Sequence, residues 1–308
     1  MSVPPPTVCV FGATGHQGGA LAHQLCALAW NVHATVRDIH SSRASALTAA
    51  GAHLTEGDWD NNDALRTAMS GCDKLFLCLM PDLTDHNREL RQTANIIRIA
   101  KDAGVKQVVA STSLGVSMLE DRLVETSSFM YKHLANKKAI EKAVADAGFL
   151  HYTFLRPSFL MVNFLNIARY PELHAKGTWT TTMTPRSRLA LLDAQDVAGM
   201  ATAAFQEPEI FHNRAIGLAS DLLTAQETLD KLGNALCRPL KAIFMTDEEI
   251  AEAQQKSTVF VNSQSSLRLM EQYVDMEGLA KTISLTPFQD FLHREQEQLK
   301  RVYNLSPQ

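Results

Sequence analysis

Lysine and arginine never gather into a block in this chain, and a formal charge of −4 gives no general attraction for nucleic acid or an anionic membrane. Long apolar runs are also missing, so no segment reads as a membrane span. The opening MSVPPP has neither a basic region nor an apolar core, so it does not read as a secretion signal, and a cytoplasmic protein is expected. Cysteine is sparse. Cys9, Cys26, Cys72, Cys78 and Cys237 show no paired metal-ligand spacing, and buried free thiols are the expected state. What remains is ordinary for a folded protein: 45% apolar and 20% charged residues in 308, enough for one large α/β domain with an added lobe or for two modest domains.

Glycine is where the sequence first becomes specific. In CVFGATGHQGGAL, the preceding TVCVF reads as a buried strand, and a helix from His16 places Leu21, Leu25 and Leu28 on one face. Gly12 would permit the tight bend, Gly15 the close approach of a pyrophosphate, and Gly18 the packing of helix on strand. The helix N-terminus would offer N–H groups to phosphates, and Thr14 and Gln17 in the turn join the candidate cofactor contacts. The spacing is GxxGxxG instead of GxGxxG, so a glycine-rich turn of an unrelated α/β protein is the alternative at this point.

Strand and helix patterns then alternate: NVHATV, a helix around residues 41–50, AHLTEGD, the helix NDALRTAM, DKLFLCLMP stopped by Pro81, a helix over about 85–103, and GVKQVVASTS. A long helix is expected over about 124–147, followed by the strand HYTFLRP. Repeated βα units imply a Rossmann-type parallel sheet with helices on both faces. Beyond Pro157 the regularity declines; KGTWTTTMTPRSRL reads as turns or short strands, and LLDAQDVAGMATAAF as a strand entering a helix near Asp193 or Asp196. The expected division is a dinucleotide-binding domain over 1–156 and a smaller, mainly substrate-binding lobe over 157–308, with some interleaving.

Candidate contacts follow the strand ends. Arg37 and Asp38 fall where an adenosine ribose would lie, Arg37 suited to a 2′-phosphate and Asp38 to a free ribose hydroxyl; the position of Arg37, with Arg43 nearby, favours NADPH over NADH. Asp58 could accept from an adenine amino group or cap the next helix. Met80 and Pro81 end the fourth strand as candidate pocket walls, and Ser111, Thr112 and Ser113 end the fifth with hydroxyls for cofactor, substrate or turn backbone. On the long helix, YKHLANKK lacks the Tyr-x-x-x-Lys pair, but His133 and Lys137 share a face, and Lys137 either serves a nicotinamide ribose or is a surface cation. Pro157, Phe159 and Asn163 would then wall an apolar site or belong to core.

Together, VFGATGHQGG, VRD, GDWDN, VVASTS, HLANK with AIEKAVADAG, and YTFLRPSFLMVNF resemble the NmrA-like branch of the atypical short-chain dehydrogenases over about the first 165 residues. The resemblance implies a Rossmann domain, NADP(H), a phosphate-selecting Arg37, an adenine-side Asp58 and an active lysine at Lys137. Its members divide into reductases of small molecules and regulators that sense dinucleotides. The expected function is therefore an NADPH-dependent reductase giving hydride to a C=O, C=N or activated C=C bond of a small, partly apolar molecule, with Tyr131, His133, Ser113 or water as proton source. The alternative is a redox-sensing regulatory protein acting through a protein partner. A homodimer is also compatible; a nucleic-acid or membrane partner is not expected, and no metal is.

Overall fold

The computed structural model describes residues 4–82, 84–126, 128–256 and 266–303. The chain forms two compact units, the first from Met1–Val116, His133–Arg156 and Val197–Ile216, the second from Ser117–Lys132, Pro157–Asp196 and Gly217–Gln308.

The first unit is a Rossmann-like sheet. Its strands are β1 (Thr7–Val10), β2 (Asn31–Val36), β3 (His53–Glu56), β4 (Lys74–Leu77), β5 (Gln107–Ser111), β6 (His151–Pro157) and β10 (Arg214–Leu218), in the order β10-β6-β5-β4-β1-β2-β3. From β3 to β6 every neighbouring pair is parallel, with Cys9 beside both His33 and Leu75. The central strands are buried almost throughout, and helices cover both faces of the sheet. The helices are α1 (His16–Ala27), α2 (Ser42–Ala49), α3 (Asn62–Met69), α4 (Arg88–Asp102), α5 (Gly115–Glu120), most of which lies in the second unit, and α6 (Phe129–Asp146), whose first turn does, joined later in the chain by a helix over Ala194–Gln206. Leu65, Met69, Ile96, Ile99, Ile140 and Val144 supply the core on one side of β1, β4 and β5.

The second unit carries β7 (Phe159–Leu160), β9 (Arg188–Leu192) and β11 (Asp221–Thr224) in one small sheet, and β8 (Thr178–Thr181) with β12 (Lys241–Phe244) in another. Helices dominate its C-terminal part, including residues 225–235, 276–282, 288–294 and 296–302. Its core is aromatic: Phe164 lies 5.8 Å from Tyr170, 6.0 Å from Trp179 and 5.6 Å from Phe288 between ring centres. Among the described residues no helix is long and apolar enough to cross a membrane.

Several expected boundaries are corrected. The long helix begins at Phe129, not near residue 124, because the Ser128 hydroxyl accepts from the Tyr131 N–H and so caps it. Helix α4 begins at Arg88, since Asp82 and Asp85 accept from backbone N–H groups of Thr84, Asp85 and Asn87 and hold that stretch in turns. Asn61, not Asp58, caps α3, accepting from Asp63 and Ala64. Strand β4 stops at Leu77, three residues before Met80, and the Leu79 carbonyl beyond its end accepts from Lys137. Cys237 is exposed in a turn at φ 51°, unlike the buried Cys9 and Cys72.

Candidate functional site

The strand order reverses between β1 and β4, and in such sheets the C-terminal strand ends at that point form a crevice. The glycine turn sits there. Gly12 has φ 71°, and a Cβ on it would come within 3.0 Å of the Cys78 carbonyl. A Cβ on Gly18 would lie 2.4 Å from the Gly12 carbonyl oxygen, so backbone packs on backbone where any side chain would collide. Gly15 is the N-cap of α1, with no side-chain cap and no acidic residue in the first turn. That is a helix N-terminus suited to an anion.

Neighbouring side chains fix this turn. Arg43 of α2 donates to the Thr14 carbonyl at 2.9 Å, and Ser111 donates to Gln17 at 2.6 Å, linking the end of β5 to the first turn of α1. Arg37 and Asp38 are exposed beyond β2. The Asp38 carboxylate folds back to accept from the His40 N–H at 2.8 Å, which leaves Arg37 the outward charge at that corner. Asp58 is exposed and accepts from the Asp60 N–H at 3.1 Å. Met80 is 73% exposed and Pro81 half-buried, both in irregular backbone after β4.

Lys137 is not a surface cation. It is 5% exposed, and its Nζ donates to the Leu79 carbonyl at 3.1 Å and to Glu89 of α4, itself 1% exposed. The adjacent Lys138 is exposed. Burial, then the charge of Lys137, pushes His133 down to about 4, so its imidazole is neutral at physiological pH. Burial also pushes the Cys78 thiol up, opposed by Lys137 and by a hydrogen bond with Ser111. The crevice end of β4 and β5 therefore gathers Cys78, Ser111, Glu89 and Lys137.

The remaining candidates are placed differently. Ser113 Oγ accepts from the Gly115 N–H at 3.2 Å. Tyr131 is half-buried on the first turn of α6, in the second unit, as are Pro157 and Phe159. The Phe159 ring is 4% exposed and packs on Phe164 and Tyr170, so it is core of that unit, and Asn163 lies in a short 3-10 helix over Met161–Leu165. Thr112 donates to Glu141 at 2.7 Å, and Arg156 grips the same carboxylate at 3.0 and 2.7 Å.

Glu89 and Cys78 did not emerge from the sequence. Glu89 had one legible signal: it continues the buried stripe of α4 through Thr93, Ile96 and Ala100, an acid where an apolar residue belongs.

The sequence model of the NmrA-like family matches residues 5–292. The chain belongs to the NmrA-like family. An NAD(P)H azoreductase of Xenophilus azovorans is 28% identical over 249 residues, which are 80% of this NmrA-like protein and 79% of the relative. Among solved structures, an NADPH-dependent quinone oxidoreductase of Escherichia coli complexed with NADPH superposes at TM-score 0.70 and 22% identity, over 93% of this chain and 99% of the other. The negative transcriptional regulator NmrA in complex with NADP does so at TM-score 0.68 and 18% identity, over 99% and 93%. At those identities the two structures establish a shared fold. In this NmrA-like protein the glycine turn, Arg37 and the buried Lys137 all belong to the first unit.

Proposed function

We propose that this NmrA-like protein is an NADPH-dependent reductase of small, partly apolar organic molecules, acting on a C=O, C=N or activated C=C bond. The observation that carries the proposal is the buried ammonium of Lys137 beside the end of β4, next to a glycine turn shaped for a pyrophosphate. Relatives that reduce azo compounds or quinones support the acceptor class.

The residues present fit a dinucleotide. Gly12, Gly15 and Gly18 let the turn pack backbone on backbone at an uncapped helix N-terminus whose N–H groups suit phosphates, and Thr14 and Gln17 are held in that turn by Arg43 and Ser111. Arg37 would take the 2′-phosphate, since Asp38 is turned toward its own loop. The bound cofactor supplies the hydride. Lys137 then offers a desolvated, preorganised positive charge to the negative charge that develops on the acceptor. His133, held neutral, and Ser113, whose oxygen already accepts a backbone N–H, each offer a hydrogen bond to the acceptor, and water supplies the proton; an iminium acceptor would need none.

The test begins with binding. Arg37→Ala is expected to weaken NADPH by about 1.5–3 kcal/mol and leave NADH unchanged in fluorescence titrations at one salt concentration. Equal losses would remove Arg37 as the discriminator. A screen of quinones, azo dyes, carbonyls and imines by NADPH oxidation follows. Tight NADPH binding with no acceptor reduced would replace the reductase by a dinucleotide-sensing regulator.

A further inference from the structure

Glu89 faces Lys137 from α4, and the two form a buried pair on elements 48 residues apart. An ammonium has three N–H donors, and the Leu79 carbonyl and Glu89 Oε1 take two of them. Tetrahedral geometry then fixes the direction of the third. A carboxylate set opposite a buried ammonium favours the charged form of such a pair. The other groups facing Lys137 oppose or do not share that effect: His133 on α6 is neutral, and Cys78 after β4 carries a thiol that burial keeps protonated.

The second oxygen of Glu89 is the telling detail. Oε2 is buried and has no hydrogen-bond partner among the described residues. A buried carboxylate serving the fold alone is expected to have both oxygens satisfied, as Glu141 has. Glu89 instead sits one residue into α4, where the helix N-terminus favours its negative charge, and spends its one bonded oxygen on Lys137.

We propose that Glu89 is the positioning residue for Lys137, holding its ammonium charged and aimed so that a single N–H remains for the reacting molecule. This rests on the reductase reading above. The experiment uses the full chain, NADPH and 1,4-naphthoquinone as acceptor, with single-turnover rates followed from pH 6 to 10. Glu89→Gln is expected to slow hydride transfer at pH 7 by about tenfold or more and to move the alkaline fall-off in rate at least about one pH unit lower, because a lone buried ammonium loses its proton sooner. Glu89→Asp, which keeps the charge but withdraws it by a methylene, is expected to slow the reaction while leaving the fall-off where the parent has it. NADPH affinity, measured by fluorescence, should change less than about threefold in both, since neither touches the phosphate turn.

A double-mutant cycle of thermal stability with Glu89→Gln and Lys137→Met gives a readout independent of turnover, and is expected to show coupling. An active parent whose Glu89→Gln variant keeps both the rate and the fall-off overturns the inference alone, as does an Asp variant displaced as far as Gln, or a cycle without coupling. A parent that reduces no acceptor yet shows the coupling overturns the reductase reading, and the positioning role falls with it.

Discussion

Helix α6 carries two buried ion pairs one turn apart, and they are built to different standards. Glu141 accepts a two-pronged grip from Arg156 and a third bond from Thr112, so both oxygens are used and the geometry is closed. Lys137, four residues earlier, meets Glu89 through one oxygen and leaves the other unpaired. Guanidinium and carboxylate match as planar forks, whereas an ammonium is a point charge with donors left over. The closed pair has nothing to offer a ligand and fastens α6 to β6. The open pair costs desolvation without full repayment, a cost that persists where a group is kept for chemistry.

Breaking the closed pair should have the largest effect on stability. Arg156→Met leaves Glu141 charged and buried, and urea unfolding is expected to show a loss of about 3–5 kcal/mol with little change in the rate of any bound-state reaction. Acidification should come next. His133 is held at about 4 in the fold against an ordinary 6.5, so between those values the unfolded chain binds a proton that the folded chain refuses. Stability is then fully present above pH 6.5 and falls as pH drops toward 4, by on the order of 3 kcal/mol. Urea melts of His133→Gln across that window should lack this component of the slope.

Lys137→Met should cost less, about 2 kcal/mol, because the N-terminus of α4 still supports Glu89. Its larger signature should be kinetic, a rise of about 2–4 kcal/mol in the hydride-transfer barrier by single-turnover measurement. A parental rate in that variant would remove Lys137 from the chemistry. The smallest effect is expected from Thr112→Val, about 1 kcal/mol in thermal unfolding, since Arg156 still satisfies Glu141. A loss as large as that of Arg156→Met would mean that Thr112, not the ion pair, closes the network.

The parts of the fold written locally were readable as sequence. NVHATV, NDALRTAM and HYTFLRP are β2, α3 and β6 residue for residue, each bounded by its own turn or cap. The glycine turn was readable for the same reason, because its work is done by backbone. Contacts made at a distance were not. The apolar run of DKLFLCLMP continues to Pro81, but β4 ends at Leu77 and the Leu79 carbonyl turns to Lys137, 58 residues on, a contact that no pattern within the strand records. The two lysines of ANKKA differ only in face, and the buried one is recognisable once Leu134 and Glu141, also buried, are seen to share its side of α6. Phe159 misled in the opposite sense: an aromatic after the sixth strand reads equally as pocket wall or core, and only packing on Phe164 and Tyr170 decides.

The bond from Ser111 to Gln17 spans from β5 to α1, passing the end of β4 that lies between β5 and β1. In the language of local opening, it ties the first turn of α1 to the end of a fully buried strand, so that loosening that turn means breaking a bond to the sheet. Ligand-binding loops are commonly the least protected part of a fold. Here the uncapped N-terminus of α1 is tied to the buried strand β5, and on the reading proposed above a dinucleotide would find its cradle already held instead of having to spend affinity on ordering it.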